Sequence, residues 1–188
     1  MQVLETDTPI LDATSSFRRM WKDKSNSATV FMDVRSNSQI HSDWSACMVQ
    51  KSRDTNIGFR KLTIQADFSH LPFKDEAFYH VNFDPPQLIH LGKTSIYYKQ
   101  YGALEADTWR FTLKQAAKEL WRVLAVNGTL NVKWSDRDIS DDDVLRLFPV
   151  EPLYGQEGAH GTSSKTSWFS FVKLASNGDR ESSSKVKV

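Results

Sequence analysis

The sequence predicts an α/β fold: an open, mostly parallel, twisted sheet with helices on both faces and an antiparallel C-terminal hairpin. Three observations support this class. Short apolar segments end at acidic residues, intervals of helix length separate most of these segments, and a Gly- and Ser-rich connection, Gly155–Ser164, joins the last two. Strands separated by helices form parallel sheets, whereas strands joined by a polar, Gly-containing turn form hairpins.

The N-terminal part provides two predicted strands, Pro9–Asp12 and Thr29–Asp33, both short apolar runs that close on an acid. Short runs of this kind are typical of buried strands. Between them, Phe17–Lys22 predicts either the start of a helix or an ordered loop. The interval Ser36–Asn56 is polar and broken, which predicts a loop with room for a short helix.

The central part provides a third predicted strand, Leu62–Asp67, and a fourth, Phe78–Asp84, which runs into two prolines. Each proline fixes φ and donates no backbone hydrogen bond, so the fourth strand holds its final carboxylate rigidly at the edge of the sheet. The following stretch extends to Asp107 without a clear period. Loops of this length in compact domains are usually functional.

The clearest predicted helix spans Thr108–Leu124, with Asp107 or Thr108 as its cap and Asn127-Gly128 as its end. Apolar residues recur along it at helical spacing. The predicted buried face consists of Phe111, Leu113, Ala116, Ala117, Leu120, Trp121 and Leu124. The remaining predicted elements are a strand at Thr129–Trp134, a helix at Asp141–Phe148, and strands at Leu153–Tyr154 and Ser167–Val172.

The composition indicates one domain over residues 1–174 and a disordered tail, 175–188, made of small, polar and charged residues. Lys and Arg total 24 against 23 Asp and Glu, so no strong net charge attracts a polyanion. The single cysteine, Cys47, excludes an intramolecular disulfide and a Cys-rich zinc site, and the histidines lack ligand spacing. Without a membrane-length apolar run or a recognisable signal peptide, we expect a soluble, cytoplasmic protein with no membrane or metal partner.

Acids close the predicted strands. Four of them fall at strand ends: Asp12, Asp33, Asp67 and Asp84. Because ligands of open α/β sheets bind beyond the carboxyl ends of the strands, these acids are expected to gather along a ligand-binding rim. Local alternatives remain for each acid: a cap for the following turn, an ion pair of Asp33 with Arg35 or Arg60, or a purely structural Asp-Pro-Pro turn.

Three passages resemble the class I, or Rossmann-like, S-adenosylmethionine-dependent methyltransferases, and the resemblance covers residues 8–174. Ala66–Phe78 is similar to the family's acid-x-x-x-Leu-Pro-Phe-x-Asp-x-x-Phe passage. Asp84-Pro85-Pro86 is similar to the Asp/Asn-Pro-Pro-aromatic motif of amino-group methyltransferases that act on nucleobases, and Glu119–Leu130 to the family's Arg-Val-Leu-Lys-Pro-Gly-Gly turn. A Val-Phe-Met-Asp strand combined with Asp-Pro-Pro and a long loop most resembles small bacterial and phage methyltransferase-like proteins.

The resemblance implies S-adenosyl-L-methionine as the cofactor. By position, Asp33 would accept hydrogen bonds from the ribose hydroxyls. Asp67 would receive the adenine amino group, with Phe68 against the ring, and the turn Asp12-Ala13-Thr14 would face the methionine end. This turn lacks glycine where the family has a Gly-rich turn. A non-catalytic cofactor-binding or partner protein is therefore an alternative.

The resemblance also implies that Asp84 and the carbonyl of Pro85, followed by Pro86, accept hydrogen bonds from the amino group to be methylated. Gln87 stands where nucleobase enzymes usually place a stacking aromatic, so Tyr97, Tyr98, Tyr101 or Trp109 would supply that face. The substrate-binding candidates are Gln87, His90, Tyr97, Tyr98 and Tyr101. The predicted activity is N-methylation of a nucleic acid or nucleobase-like substrate, with a small-molecule acceptor as the alternative.

Overall fold

The computed structural model describes residues 3–50, 62–156 and 165–175, with side chains throughout these ranges except at 48–50. One sheet of seven strands in the order β3-β2-β1-β4-β5-β7-β6 runs through the described residues. The strands are β1 (Ile10–Asp12), β2 (Thr29–Asp33), β3 (Ile64–Gln65), β4 (Phe78–Phe83), β5 (Leu124–Ser135), β6 (Tyr154–Gln156) and β7 (Thr166–Val172). Of these described strands, only β7 runs antiparallel, against both β5 and β6. The predicted fold class is confirmed.

Four helices accompany the described strands: α1 (Asn37–Gln50), α2 (Ile96–Tyr101), α3 (Trp109–Val123) and α4 (Asp141–Leu145). Helix α1, with 14 residues, is longer than the short helix that the prediction of a loop allowed for this interval, whose last residues, 51–56, lie outside the described ranges. Among its described side chains, Ile40, Trp44 and Cys47 form an apolar stripe at helical spacing. The stripe packs with Phe17 in a small cluster apart from the main core. Because so few apolar residues mark it, the surrounding polar sequence gives little sign of a helix.

The segment between β1 and β2 is an ordered loop, so the helix alternative at Phe17–Lys22 is wrong. The predicted helix end at Asn127-Gly128 is also wrong. Helix α3 ends at Val123 and β5 starts at the next residue, with Asn127 in a left-handed conformation (φ 64°). Because β4 advances from Phe78 to His80 while β5 advances from Leu124 to Thr129, Asn127 belongs to a bulge inside the strand.

The main core lies between the sheet and α3. Leu113, Ala117 and Leu120 of the helix are buried, as predicted, but Phe111 is 68% exposed and does not belong to the buried face. On β5, Leu130, Val132 and Trp134 are fully buried, which leaves Asn131 and Lys133 on the opposite face. Truncation of a fully buried leucine such as Leu120 to alanine is expected to cost about 2–5 kcal/mol.

Two of the passages that resemble the methyltransferase family contact each other. Glu119 Oε2 accepts the backbone N–H of Leu71 at 3.0 Å, and Arg122 donates to the carbonyls of Leu71 and Phe73 at 3.0 and 2.7 Å. Arg122 also pairs with Glu119 at 2.7 Å, which lowers the pKa of that carboxyl. The Glu-x-x-Arg of α3 therefore fixes the Leu-Pro-Phe segment that follows β3.

Two predictions concern segments that lie mostly outside the described residues. The tail predicted for 175–188 lies outside the described residues apart from Ala175, and most of the connection Gly155–Ser164 lies outside them as well. Within the described part of the chain, no helix is long and apolar enough to cross a membrane.

Candidate active site

A cleft of about 840 Å³ opens at the carboxyl ends of the parallel strands and brings all four strand-end acids together. Its volume falls within the roughly 300–1,000 Å³ of small-molecule sites. The cleft also collects residues from the segment after β4, including helix α2, and from β5 and β7. Of the predicted site residues, it is lined by Asp12, Ala13, Thr14, Asp33, Asp67, Phe68, Asp84, Pro86, Tyr98 and Tyr101.

Four predicted site residues do not line this cleft. Pro85 is buried beneath its neighbours, while Tyr97 is 60% exposed on α2. His90 is exposed, and its backbone N–H, like that of Ile89, is accepted by Asp138 Oδ2, at 3.2 and 2.9 Å respectively. Gln87 lies outside the cleft lining and contacts the Asp84 carboxylate.

Asp12 is enclosed in the protein, with only 1% of its surface exposed. Trp21 Nε1 donates to Oδ2 at 2.5 Å, and the backbone N–H of Thr14 donates to Oδ1 at 3.2 Å. Burial raises the pKa of Asp12 to about 7, although both hydrogen bonds oppose that rise. The contacts of Asp12 are those of a residue that shapes the turn, the local alternative recognised from the sequence.

The turn after β1 adopts left-handed backbone conformations without glycine. Ser16 has φ 42° and Arg18 has φ 53°. Such conformations cost a non-glycine residue roughly 1–2 kcal/mol and cluster at functional sites. Beside them, the hydroxyl of Ser15 is buried, lines the cleft and lacks a hydrogen-bond partner among the described residues. Thr14 Oγ1 accepts the backbone N–H of Asp84 at 2.8 Å, so the turn is joined directly to the Asp-Pro-Pro corner.

Asp33 forms a bidentate pair with Arg35, one of the alternatives recognised from the sequence. Arg35 donates through Nε to Oδ1 at 3.0 Å and through Nη2 to Oδ2 at 2.9 Å. Oδ1 also accepts the backbone N–H of Arg35 at 2.9 Å. Because each carboxylate oxygen accepts through two lone pairs, Oδ2 retains capacity for one further donor from a ligand.

Arg35 uses all of its guanidinium N–H groups in a network across the cleft. Beyond Asp33, it donates to Asp43 on α1 at 3.2 Å, to Ser16 Oγ at 3.0 Å and to the carbonyl of Lys99 on α2 at 2.7 Å. Ser16 Oγ in turn donates to the carbonyl of Gln100 at 2.7 Å. The C-terminal end of α2 is therefore fastened to the turn after β1 and to the end of β2.

Asp67 is exposed at the mouth of the cleft. Its Oδ1 accepts both the backbone N–H and the hydroxyl of Ser69 at 2.8 Å, which is the local turn alternative. Within the described ranges, Oδ2 has no partner and remains available to a ligand donor. Phe68, next to it, is half-buried and packs edge-on against Phe83, with ring centroids 5.4 Å apart.

Asp84 is held on both oxygens. Gln87 Nε2 donates to Oδ1 at 2.8 Å, and Lys133 Nζ donates to Oδ2 at 2.7 Å. Gln87 Nε2 also donates to the carbonyl of Lys133 at 3.0 Å. Burial raises the pKa of Asp84, and Lys133 and Gln87 counteract the shift. Gln87 therefore orients the acid rather than presenting a surface to the cleft.

Sequence reasoning missed Lys133, Trp168, Asp138 and Gly102. Lys133 directly follows Val132, the register partner of Phe83, so it lies beside Asp84. Aligning the ends of the fourth and fifth predicted strands could have found it. Trp168 depends on the register of β7, for which the sequence carries no signal. Gly102 ends α2 with φ 72° and ψ −168°, where a Cβ would lie 3.3 Å from Pro86 Cγ.

No protein-family model and no curated protein matches the sequence. Solved structures do match. The [4+2]-cyclase SpnF has a TM-score of 0.56 at 13% identity, covering 93% of this chain and 77% of SpnF. Geranyl diphosphate C-methyltransferase from Streptomyces coelicolor, solved with Mg²⁺, geranyl diphosphate and S-adenosyl-L-homocysteine, has a TM-score of 0.54 at 10% identity, covering 92% and 73%.

A SAM-dependent methyltransferase from Methanosarcina mazei has a TM-score of 0.54 at 12% identity, covering 92% of this chain and 95% of that one. At these identities the likeness establishes the Rossmann-like methyltransferase fold. It does not fix the reaction, since one of these proteins is named as a cyclase.

The residues at the β1–β2–β3 side of the cleft fit an S-adenosyl group. Asp33 and Asp67 each keep an acceptor oxygen with free capacity, which suits the hydroxyls and amino group of an adenosine. The unpartnered Ser15 hydroxyl is a buried polar group that a ligand atom could satisfy. Ser16 adopts a left-handed conformation within this glycine-free turn.

Proposed function

We propose that this chain is an S-adenosylmethionine-dependent methyltransferase that methylates an amino nitrogen on a nucleobase-like acceptor. The observation that supports this most directly is the convergence of the strand-end acids on one cleft, with Asp33 and Asp67 on one side and Asp84 on the other. The first two offer free acceptor oxygens, and the third is held rigidly by its neighbours. This division matches a cofactor side and an acceptor side.

On the cofactor side, Asp33 Oδ2 would accept a ribose hydroxyl while Arg35 holds the carboxylate in a fixed orientation. Asp67 Oδ2 would accept the adenine amino group, with Phe68 at the edge of the ring. The buried Asp12 would shape the turn after β1 instead of contacting the ligand. S-adenosylmethionine, when bound, supplies an electrophilic methyl group on a sulfonium centre.

On the acceptor side, Asp84 would accept a hydrogen bond from the amino group and direct the nitrogen lone pair at the methyl carbon. The methyl group would pass from the sulfonium sulfur to the nitrogen, leaving a neutral thioether, and the methylated nitrogen would then have to lose a proton. Asp84 is a suitable first recipient because burial raises its pKa. Thr14, which binds the backbone of Asp84, fixes the distance between the two sides of the cleft.

The charge of the cleft favours a second candidate, a small-molecule amine as the acceptor. Cationic residues of the lining are balanced by acids, so the cleft does not form the basic groove expected for binding a nucleic-acid backbone. The cations are Arg19, Arg35, Lys93, Lys99 and Lys133, and the acids are Asp12, Asp33, Asp43, Asp67, Asp84 and Glu105.

Transfer of a labelled methyl group from S-adenosylmethionine to oligonucleotides and to free nucleosides tests the proposal. We expect incorporation into at least one base-containing substrate. Labelling of oligonucleotides that declines steeply with added salt would identify a polymer, since phosphate contacts produce that dependence. Cofactor binding without incorporation into any base-containing substrate would contradict the nucleobase proposal and favour the small-molecule or the non-catalytic alternative.

A further inference from the structure

We propose that Trp168 and Lys133 form the acceptor subsite, in which Trp168 supplies the stacking face and Lys133 reads an accepting atom beside the amino group that Asp84 binds. The inference rests on the proposed methyltransferase function and specifies its substrate class. That class is a planar nitrogen heterocycle that carries an amino group next to a hydrogen-bond-accepting ring atom.

Trp168 lies at the acceptor end of the cleft because of the strand register. It is the antiparallel partner of Lys133 across β5 and β7, and directly opposed residues project from the same face of a sheet. Both residues line the cleft, together with Asp84 and Pro86. Trp168 is 39% exposed, so a large aromatic surface remains that a stacked ring can cover.

The aromatic residues expected from the sequence are less suitable than Trp168 as the stacking face for the acceptor. Tyr97 and Trp109 do not line the cleft. Tyr98 and Tyr101 belong to α2, whose backbone carbonyls at Lys99 and Gln100 accept hydrogen bonds from Arg35 and Ser16. Trp168 instead shares its face with the lysine that pairs with the acceptor acid. It therefore takes the place of the aromatic that Gln87 does not provide.

Lys133 has hydrogen-bonding capacity beyond Asp84. Among the described residues, Asp84 Oδ2 is the one partner of its ammonium group, at 2.7 Å, and the side chain is 27% exposed. The remaining N–H groups can donate to a ligand. Asp84 accepts and Lys133 donates at adjacent positions. An amino group beside an accepting ring nitrogen presents the complementary pair, whereas a carbonyl beside a ring N–H reverses the order with respect to Asp84 and Lys133.

The test measures binding of cytidine and adenosine to the protein saturated with S-adenosylhomocysteine, by titration followed with ligand-observed NMR. Uridine and inosine, which lack the amino group, serve as mismatched probes. We expect wild type to bind cytidine or adenosine more tightly than its mismatched counterpart. Trp168→Ala should weaken that binding by about tenfold, and Trp168→Phe by less, because stacking on an aromatic face contributes roughly 1–3 kcal/mol per base.

Lys133→Met should remove the preference for the aminated base. Tyr154→Ala is the matched control, since Tyr154 is an exposed aromatic on neighbouring β6 that does not line the cleft. Unchanged nucleoside binding in Trp168→Ala, in protein that still binds S-adenosylhomocysteine, would overturn the subsite alone. Failure of the wild type to bind any of these nucleosides in that complex would overturn the substrate class. Failure to bind S-adenosylhomocysteine would contradict the proposed function itself.

Discussion

Lys133 of β5 donates a 2.7 Å hydrogen bond to Asp84 at the end of β4, and Gln87 holds the other carboxylate oxygen at 2.8 Å. The acid of the Asp-Pro-Pro segment is therefore part of a three-residue network. A charged partner offsets part of the cost of burying a carboxylate. The network holds this buried acid in one orientation, as its proposed role toward an incoming amine requires.

Asp84→Ala is expected to abolish methyl transfer while leaving the affinity for S-adenosylhomocysteine nearly unchanged. The reason is that Asp84 lies on the acceptor side and contacts Lys133 and Gln87, not the acids of the cofactor side. Turnover with labelled cofactor and calorimetric titration of the product measure the two effects separately. Equal loss of turnover and of cofactor affinity would show that Asp84 is structural or belongs to the cofactor site.

Asp33→Ala is expected to weaken binding of S-adenosylhomocysteine by about tenfold or more, since a charge-assisted hydrogen bond to a hydroxyl contributes roughly 1.5–3 kcal/mol. The matched control is Asp43→Ala. Asp43 also pairs with Arg35, at 3.2 Å, but no role toward the adenosine is assigned to it. Calorimetry on both variants, with circular dichroism as a check on folding, distinguishes the roles. Equal losses in both variants would mean that Asp33 acts only by holding Arg35.

Gly102→Ala is expected to lower the free energy of unfolding by about 1–3 kcal/mol, because Gly102 occupies a backbone region that is essentially restricted to glycine. The added Cβ would also lie 3.3 Å from Pro86 Cγ and press on the Asp84-Pro85-Pro86 segment. Urea denaturation measures the first effect, and turnover under native conditions measures the second. Gly92→Ala is the control, since a Cβ there meets nothing within 4 Å. Equal stability of the two variants would contradict the strain assigned to Gly102.

Asp12 is expected to make the stability of the fold depend on pH between about pH 4 and pH 7. Its pKa in the folded protein, about 7, lies above the ordinary value of 3.8. The folded state therefore holds this proton more tightly than the unfolded state. The stabilisation is complete below about pH 4, decreases as pH rises, and is lost above about pH 7. Its full size is on the order of 4 kcal/mol, at about 1.4 kcal/mol for each pKa unit.

Urea denaturation of wild type and Asp12→Asn across this range checks that prediction. The free energy of unfolding of the wild type should fall relative to that of the variant as pH rises from 4 to 7. Parallel pH profiles for the two proteins would contradict a raised pKa at Asp12.

The rim of acids could be predicted because each of the first four predicted strands ends where an apolar run meets an acid, a signal carried by adjacent residues. Asp33 and Asp84 needed no tertiary information to be placed at that rim. Their partners did. Lys133 alternates with buried residues on β5 and therefore resembles a solvent-facing residue until the parallel register with β4 is known. Trp168 requires the antiparallel register of a strand far along the chain.

Helix α1 and the bulge at Asn127 show two other limits. The buried stripe of α1 contains too few apolar residues to produce a strong period, and its packing partner Phe17 lies in a loop before β2. Asn127-Gly128 has the residue types of a helix end, but pairing of the flanking residues with β4 continues the strand through it. In both cases tertiary contacts outweigh the local pattern.

Calorimetric titration of the full chain with S-adenosylmethionine tests the central claim most directly, because every role assigned to the cleft depends on an adenosyl ligand between Asp33 and Asp67. We predict saturable binding at one site per chain, weakened in Asp33→Ala and retained in Asp84→Ala. Absence of binding by wild-type protein whose folding is confirmed by circular dichroism and cooperative urea denaturation would contradict the assignment.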